Sequence, residues 1–166
     1  LSSVEGTLKF IISIILMTFA FIPMAKADEN NFTCLVEAIY HEARSEPLMG
    51  MIAVANTILN RVYSKRYPNT ICGVVHQGKY WEGHPVKNKC QFSYWCDGKP
   101  EMFNDMVSLK KSIAVAEMSL MGVVMRDTLN STHYHATYVK PDWSKKSRFI
   151  KLDKIGNHIF YLDKGK

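Results

Sequence analysis

The stretch "CLVEAIYHEARSEP", residues 34–47, decides where the polypeptide begins to fold. Within it, Leu35, Ala38, Ile39 and Glu42 stand at positions i, i+3, i+4 and i+7. Residues at that spacing share one face of an α-helix, because the helix repeats every 3.6 residues. The pattern therefore predicts an apolar helical face that ends in a single carboxylate.

The ends of this first helix follow from its flanking residues. Pro47 disfavours helical geometry at the residue before it, so the helix should end by Ser45. Thr33 can cap the N-terminus, because its hydroxyl can accept a hydrogen bond from a free backbone N–H. We therefore expect a helix over residues 34–45.

Glu42 is the first candidate for catalysis. Apolar surroundings raise the pKa of a carboxyl group, and the partial negative charge at a helix C-terminus acts in the same direction. An acid that stays protonated near neutral pH can act as a general acid on a glycosidic oxygen. The alternative is a buried strut, in which Glu42 pairs with Arg44 or Arg61. Glu46 is a weaker candidate, as a second carboxylate or as a group that orients substrate.

The N-terminal residues have the layout of a secretory signal peptide. Lys9 precedes the apolar run "FIISIILMTFAFIPM" at residues 10–24, and the small residues of "AKA" end at Ala27. The run is shorter than the ~20 residues that a membrane-spanning helix needs, which disfavours an uncleaved anchor. We expect residues 1–27 to be removed. Residues 28–166 would then form one exported domain in the periplasm or cell envelope, without stable membrane insertion.

Composition narrows the class of partner. Apolar residues make up 47% of the 166-residue chain, which is enough to build the core of one folded domain. The net charge of +6 suits an anionic partner, and the candidates are nucleic acid, anionic lipid and an acidic polysaccharide. Export disfavours nucleic acid among these three.

Four cysteines, an even number in an exported chain, favour two disulfides. A zinc site built from all four thiolates is disfavoured, because the sequence has no C-x-x-C pair. Three pairings are possible in principle. The short loop between Cys90 and Cys96 is the easiest to close, and its closure would leave Cys34 to pair with Cys72.

The remaining patterns predict a mostly helical α+β domain. Helices fit residues 48–63 and 105–121, and "TICGVV" fits a helical turn. The buried side of the last helix is predicted from its apolar residues: Met106, Leu109, Ile113, Ala116 and Leu120. "STHYHATYV" and "NHIFYL" have the aromatic and β-branched content of strands, and we expect them to form a small antiparallel hairpin with a long loop.

Residues 77–100 show no clear period and are rich in glycine, proline and aromatic residues. A long irregular segment in a compact domain is usually functional. If Cys90 is bridged to Cys96, the "QFSYW" between them becomes a rigid loop with exposed rings. Flat rings pack on sugar faces, and side chains such as Gln91 and Ser93 bond hydroxyl or amide groups. The segment therefore indicates a binding groove.

A rival interpretation rests on "HYH" at residues 133–135. Two imidazoles on one face of a strand have a spacing that metal sites use, so His133 and His135 are candidate zinc ligands of a peptidoglycan amidase. The helical motif offers no support for zinc. "HEARS" is not H-E-x-x-H, because position 45 is serine.

Several blocks, in order, resemble the cell-wall hydrolases typified by the spore-cortex-lytic enzyme SleB. They run from Cys34 to Tyr161: "CLVEAIYHEARSEP", "AVANTILNRV", "YPNTICGVV", "CQFSYWCDG", "HYHATYVKPDW" and "IGNHIFY". The resemblance implies a reduced lysozyme-like fold. It also implies cleavage of peptidoglycan between N-acetylmuramic acid and N-acetylglucosamine.

The resemblance also assigns roles to residues. The glutamate of the family's "EAR" falls on Glu42, which would protonate the leaving oxygen and then deprotonate the muramic acid 6-hydroxyl. The result would be a 1,6-anhydro end, whereas a hydrolytic muramidase would use water instead. Residues expected to bind the glycan are Glu46, Gln91, Phe92, Ser93, Trp95, Tyr134 and His135. No metal or cofactor is implied, and we expect a monomer.

Overall fold

A computed structural model describes the backbone of residues 25–165 and the side chains of residues 30–165. The predicted signal peptide lies outside these residues, apart from its last three positions. Four α-helices lie in the described part of the chain: α1 (Ala25–Ala43), α2 (Leu48–Tyr63), α3 (Ile71–Val75) and α4 (Met106–Leu120). None of these four helices is long and apolar enough to cross a membrane.

Five strands accompany the helices within residues 25–165 and form two antiparallel sheets. They are β1 (Gly78–Trp81), β2 (His84–Cys90), β3 (His133–Ala136), β4 (Phe149–Ile155) and β5 (His158–Asp163). The first two strands form a hairpin, and the other three form a sheet of order β3-β5-β4. The predicted α+β class, mostly helical with a small antiparallel sheet, is confirmed.

The predicted pairing of "STHYHATYV" with "NHIFYL" is confirmed, since Tyr134 of β3 lies opposite Phe160 of β5. The prediction of a plain long loop between them is wrong, because that segment contains β4, which pairs with the other edge of β5. Charged residues break the apolar pattern of β4, so its sequence does not resemble a strand. The tight turn at Gly156 connects β4 to β5.

Helix α1 begins earlier than expected. Thr33 lies inside it, so the prediction of Thr33 as N-cap is wrong. The predicted end is close to the observed one, since α1 ends at Ala43 and a turn follows in which the N–H of Glu46 donates to the carbonyl of Ala43 at 2.9 Å. Pro47 then occupies the N-cap position of α2 with φ −62° and ψ 158°. The proline therefore separates two helices, as its restricted geometry requires.

The core lies where α1, α2 and α4 meet. Leu35, Ala38 and Ile39 of α1 are fully buried, as their spacing predicts. The structure joins Cys34 to Cys72 and Cys90 to Cys96, with Cα atoms 5.3 and 6.1 Å apart. The first bridge ties α1 to α3. The second holds the end of β2 against a 3₁₀ turn over Ser93–Cys96.

The predicted buried face of α4 is correct at Ala116, is partly correct at Leu109 and Ile113, which are half-buried against the core, and is wrong at Met106 and Leu120. Met106 and Leu120 are 59% and 48% exposed. The buried face instead carries small residues: Ser108, Ser112, Val115, Ala116 and Ser119. Small side chains let the α4 backbone pack closely on α1 and α2, and the Ser112 hydroxyl donates to the carbonyl of Ser108 at 2.9 Å. The orientation of α4 therefore depends on how closely its backbone can pack against its neighbours, and not on which face carries more apolar residues.

The prediction that residues 77–100 are irregular is wrong in part, because β1 and β2 form a hairpin there. The expected exposure of the rings in "QFSYW" is wrong for Phe92 and Tyr94, which are 2% and 8% exposed. Both rings join the hydrophobic core instead. The most exposed aromatic ring of this region is Trp81, at the tip of the hairpin, and Tyr80 is exposed to a smaller extent.

Candidate active site

A cleft of about 390 Å³ runs along β3, between the end of α1 and the segment that follows β2. It brings together Glu42 and five of the residues predicted to bind glycan: Gln91, Phe92, Ser93, Tyr134 and His135. These residues come from three separate parts of the sequence. The fold therefore assembles most of the predicted groove around the predicted acid.

Glu42 occupies the last turn of α1 and is half-buried in the wall of the cleft. Burial raises the pKa of its carboxyl group above the ordinary value, whereas a hydrogen bond from Tyr134 and the charge of Arg61 oppose that rise. The Tyr134 hydroxyl donates to Glu42 Oε2 at 3.1 Å. Burial also raises the pKa of Tyr134 well above its usual range, so this hydroxyl keeps its proton.

The alternative role of Glu42 as a strut finds no support in residues 25–165, where no ion pair joins it to Arg44 or Arg61. Arg44 instead lies over the ring of Tyr40, 5.0 Å from its centroid. The Glu42 carboxyl group therefore has one side-chain donor and faces the cleft. That arrangement leaves it free to exchange a proton with a bound molecule.

Arg61 provides a fixed cation in the floor of the cleft. It is only 5% exposed, and its Nε donates to the carbonyl of Thr132 at 2.7 Å. The guanidinium lies 5.5 Å from the ring centroids of both Tyr67 and Phe92. Cation–π contacts of this kind hold a buried guanidinium without neutralising it. The positive charge therefore remains available to stabilise a carboxylate at Glu42.

Glu46 does not line the cleft, so its expected contact with substrate is not supported. Its side chain is 4% exposed, and its Oε2 accepts a hydrogen bond from the N–H of Asn157 at 2.8 Å. Its Oε1 lies 4.0 Å from Nδ1 of His158. Gly156 has φ +58°, and a Cβ there would overlap Glu46 Oε2. Glu46 therefore fastens the β4–β5 turn to the start of α2.

Trp95 also lies away from the cleft lining. Its ring stacks on His76 with centroids 3.5 Å apart, and its Nε1 donates to the hydroxyl of Tyr80 at 3.0 Å. These contacts use both the face and the polar edge of the indole. Trp95 therefore supports the β1–β2 hairpin from below and does not reach the cleft.

His133 and His135 lie on one face of β3 and line the cleft, where both contact the ring of Trp143. Nδ1 of His135 donates to the carbonyl of Ala136 at 2.9 Å, and its Nε2 is hydrogen-bonded to the Tyr161 hydroxyl at 3.0 Å. Burial is the main cause that lowers the pKa of His133 to about 4. No group of three His, Cys, Asp or Glu side chains within the described residues is arranged to hold a metal ion.

Comparison with known proteins assigns the family. The family model described as Cell Wall Hydrolase matches residues 45–161. The chain belongs to the cell wall hydrolase family. The SleB-type resemblance seen in the sequence is thereby confirmed.

The relatives and solved structures of this cell wall hydrolase agree with one another. The chain is 45% identical over 136 residues to a spore cortex-lytic enzyme of Bacillus cereus, covering 80% of this chain and 44% of the relative. It is 39% identical over 139 residues to the spore cortex-lytic enzyme of Halalkalibacterium halodurans, covering 80% and 34%. The chain thus spans less than half the length of these curated relatives.

Two solved structures share the fold. The catalytic domain of the Bacillus cereus SleB protein superposes with a TM-score of 0.56 and 28% identity, covering 80% of this chain and 90% of that one. The catalytic domain of the germination-specific lytic transglycosylase SleB from Bacillus anthracis gives a TM-score of 0.59 and 28% identity, covering 84% and 99%. The fold of this cell wall hydrolase is therefore that of SleB catalytic domains.

His41 and His158 also line the cleft of this cell wall hydrolase, and neither was among the residues expected to bind glycan. His41 lines the cleft and stacks on Tyr94 with centroids 4.6 Å apart. His158 enters because β5 sets it opposite Ala136 at the end of β3. The pairing of the two strands was predicted, but its register was not. If the register of β3 and β5 had been known, His158 could have been placed beside Tyr134 from the sequence.

Proposed function

We propose that this domain cleaves the glycan strands of peptidoglycan between N-acetylmuramic acid and N-acetylglucosamine, as a lytic transglycosylase. The observation that carries the proposal is the Glu42 carboxyl group, whose pKa burial raises at the wall of a 390 Å³ cleft. The names of the relatives, which are cortex-lytic enzymes and a lytic transglycosylase, support the same reaction class.

The first chemical step needs a neutral acid. Protonated Glu42 donates its proton to the bridging glycosidic oxygen, and the bond between that oxygen and C1 of N-acetylmuramic acid breaks. The bonding electrons leave with the oxygen, and positive charge develops at C1 in an oxocarbenium-like transition state. A carboxyl group whose pKa is raised by burial suits this task, because a larger fraction of it carries the proton near neutral pH.

The second step uses the same residue as a base. The Glu42 carboxylate accepts the proton of the muramic acid 6-hydroxyl while that oxygen attacks C1, which closes the 1,6-anhydro ring and restores the neutral acid. The Tyr134 hydroxyl and the Arg61 cation stabilise the carboxylate between the two steps. One residue completes the cycle, which agrees with the commitment of Glu46 to the backbone of Asn157.

The rest of the cleft suits a glycan. Trp143 contributes aromatic surface, and Gln91 and Ser93 supply polar side chains for hydroxyl and acetamido groups. The substrate is polymeric and lies outside the cytoplasm. We therefore propose that the domain works in the cell envelope, as an exported monomer with both disulfides formed.

The test is digestion of purified sacculi followed by mass spectrometry of the soluble products. The protein should release muropeptides with anhydromuramic ends, which are one water lighter than reducing ends. Glu42→Gln should lower the rate about 10³-fold, because the amide cannot donate or accept the transferred proton. The melting temperature should stay within a few degrees of the parent value.

Glu37→Gln is the matched control for this substitution. Glu37 is a half-buried carboxyl group on the same helix whose pKa burial also raises, and it does not line the cleft. Its substitution should leave the rate unchanged. Full activity of Glu42→Gln would overturn the assignment, and products with reducing ends would indicate a hydrolytic muramidase. Chelator-sensitive release of peptides from intact glycan would indicate a zinc amidase based on His133 and His135.

A further inference from the structure

The β1–β2 hairpin is the most exposed regular element of the described chain. All four residues of β1 are exposed, and the Trp81 side chain at its tip is 72% exposed. An indole ring carries a large apolar surface, and leaving most of it in water forgoes the stabilisation that burial would give. A flat ligand could therefore gain free energy by covering the ring.

The hairpin has one inner and one outer face. Trp81 pairs with His84 across a two-residue turn whose members, Glu82 and Gly83, have φ +48° and +81°. Opposed residues lie on the same face of a β-ribbon, and neighbours along a strand lie on opposite faces. Trp81 and His84 therefore share the outer face, and Tyr80 belongs to the inner one.

The inner face is fastened to the body of the protein. The Tyr80 hydroxyl donates to the carbonyl of His76 at 2.8 Å and accepts from Nε1 of Trp95 at 3.0 Å. The Cys90–Cys96 bridge anchors the end of β2. These contacts hold the hairpin in one orientation, so the outer face presents Trp81 in a fixed position.

The hairpin is continuous with the cleft. β2 ends at Cys90 and leads directly into Gln91, Phe92 and Ser93, which line the cleft wall. The N–H of Gln91 donates to the carbonyl of Gln77 at 2.8 Å, which closes the base of the hairpin at the cleft edge. A polymer that leaves the cleft past Gln91 therefore meets the hairpin next.

The charge of the hairpin matches the same polymer. Lys79, Lys87 and Lys89 are exposed on its strands, against the single acidic residue Glu82 in the turn; Lys79 lies on the outer face with Trp81, whereas the Lys87 side chain runs past Gly98. Peptidoglycan strands carry stem peptides with free carboxylates. Several exposed lysines attract such groups and supply affinity that falls with salt.

We propose that the outer face of the β1–β2 hairpin is an accessory glycan-binding surface for the part of the strand beyond the cleft. A sugar ring packs on Trp81, and the lysines pair with carboxylates of the stem peptides. The surface favours long, peptide-bearing strands over short fragments. This inference rests on the proposed glycan cleavage and extends it to the length of strand that is recognised.

The test compares two substrates with the variant Trp81→Ala. On long strands from purified sacculi, kcat/KM should fall about tenfold, an effect of the size expected when one stacked ring is lost. On a tetrasaccharide that fills only the cleft, kcat/KM should not change. Tyr63→Ala is the matched control, because Tyr63 is an 83% exposed ring on α2. It should leave both rates unchanged.

A second measurement separates this inference from the proposed function. Binding to intact sacculi is measured in the Glu42→Gln background, where no cleavage interferes. Adding Trp81→Ala should weaken binding about tenfold, whether the unmutated protein proves to be a transglycosylase or not. Failure of the proposed function would instead leave the unmutated protein inactive on both substrates.

Three results would overturn the inference. One is an equal loss on long strands and on the tetrasaccharide, which would mean that Trp81 only supports the fold. Another is unchanged binding and unchanged activity on both substrates. The third is that Trp81→Ala weakens binding to anionic phospholipid vesicles and leaves binding to sacculi intact, which would assign the face to a membrane surface.

Discussion

Glu42, in the last turn of α1, and Glu46, in the turn between α1 and α2, lie in regions of opposite character. Glu42 faces an open cleft and has one hydrogen-bond donor, the hydroxyl of Tyr134. Glu46 is closed in between two turns and receives a backbone N–H from Asn157. The difference shows that the role of each carboxylate depends on how many of its hydrogen-bonding positions the fold leaves unused. Glu42 can still exchange a proton with a ligand, whereas Glu46 is occupied by the fold.

The largest effect is expected where Glu46 meets the β4–β5 turn. Gly156→Ala should lower the free energy of unfolding by about 3 kcal/mol, because it combines a left-handed backbone with a Cβ that has no room. Urea unfolding at constant m-value measures this change.

Gly83→Ala is the control for that substitution. Gly83 also has a positive φ of +81°, but nothing lies within 4 Å of the Cβ position. Its cost should be about 1 kcal/mol, the backbone contribution alone. Adding Glu46→Ala to Gly156→Ala should recover part of the loss, since it removes one clashing group. Equal costs at the two glycines would contradict the close contact with Glu46.

A smaller effect is expected on the cleft side, at Tyr134. Its hydroxyl favours the carboxylate form, so Tyr134→Phe should raise the pKa of Glu42 further. A general acid loses activity as the pH rises through its pKa. The alkaline limb of the kcat/KM profile should therefore move to higher pH.

Tyr161→Phe provides the comparison for this pH profile. It removes a buried hydroxyl that bonds His135, and no contact joins that hydroxyl to Glu42. The alkaline limb should stay in place in this variant. A limb that moves to lower pH in Tyr134→Phe would show that the hydroxyl does not stabilise the Glu42 carboxylate.

The smallest effect is expected on the pKa of His158, which the charge of Glu46 influences and that of Glu42 does not. Glu46→Gln keeps an oxygen for the N–H of Asn157, so the fold should persist. It removes the charge that raises the pKa of His158 against the larger lowering by burial. The pKa of His158, followed by NMR, should therefore fall. Glu42→Gln should leave it unchanged, and an equal shift in both variants would remove the distinction between the two regions.

Much of the fold followed from local patterns, because local geometry determines it. The bounds of α2 were predicted correctly, since a proline precedes it and the Tyr67-Pro68 break follows it. The orientation of α4 was not predictable in this way. Its buried serines pack because neighbouring helices approach closely, and that distance is a property of the assembled core.

The candidate site divides in the same manner. The apolar face beneath Glu42 is a local helical pattern, so the acid was found from sequence. Its donor Tyr134 is 92 residues away and reaches it only through the packing of β3. Glu46 was placed in the groove because its true partner, the turn at Asn157, depends on a strand that the sequence did not reveal. The hydrogen-bond partners that could not be predicted from the sequence are those brought together by packing between distant segments.

The buried guanidinium of Arg61 gives the cleft floor an alternating charge under the proposed mechanism. While Glu42 is protonated, the pair carries one positive charge. When the proton leaves, carboxylate and guanidinium cancel. Positive charge at C1 of the sugar thus develops at the moment when the floor becomes neutral. The cleft floor is therefore cationic before proton transfer and neutral when the transition state forms.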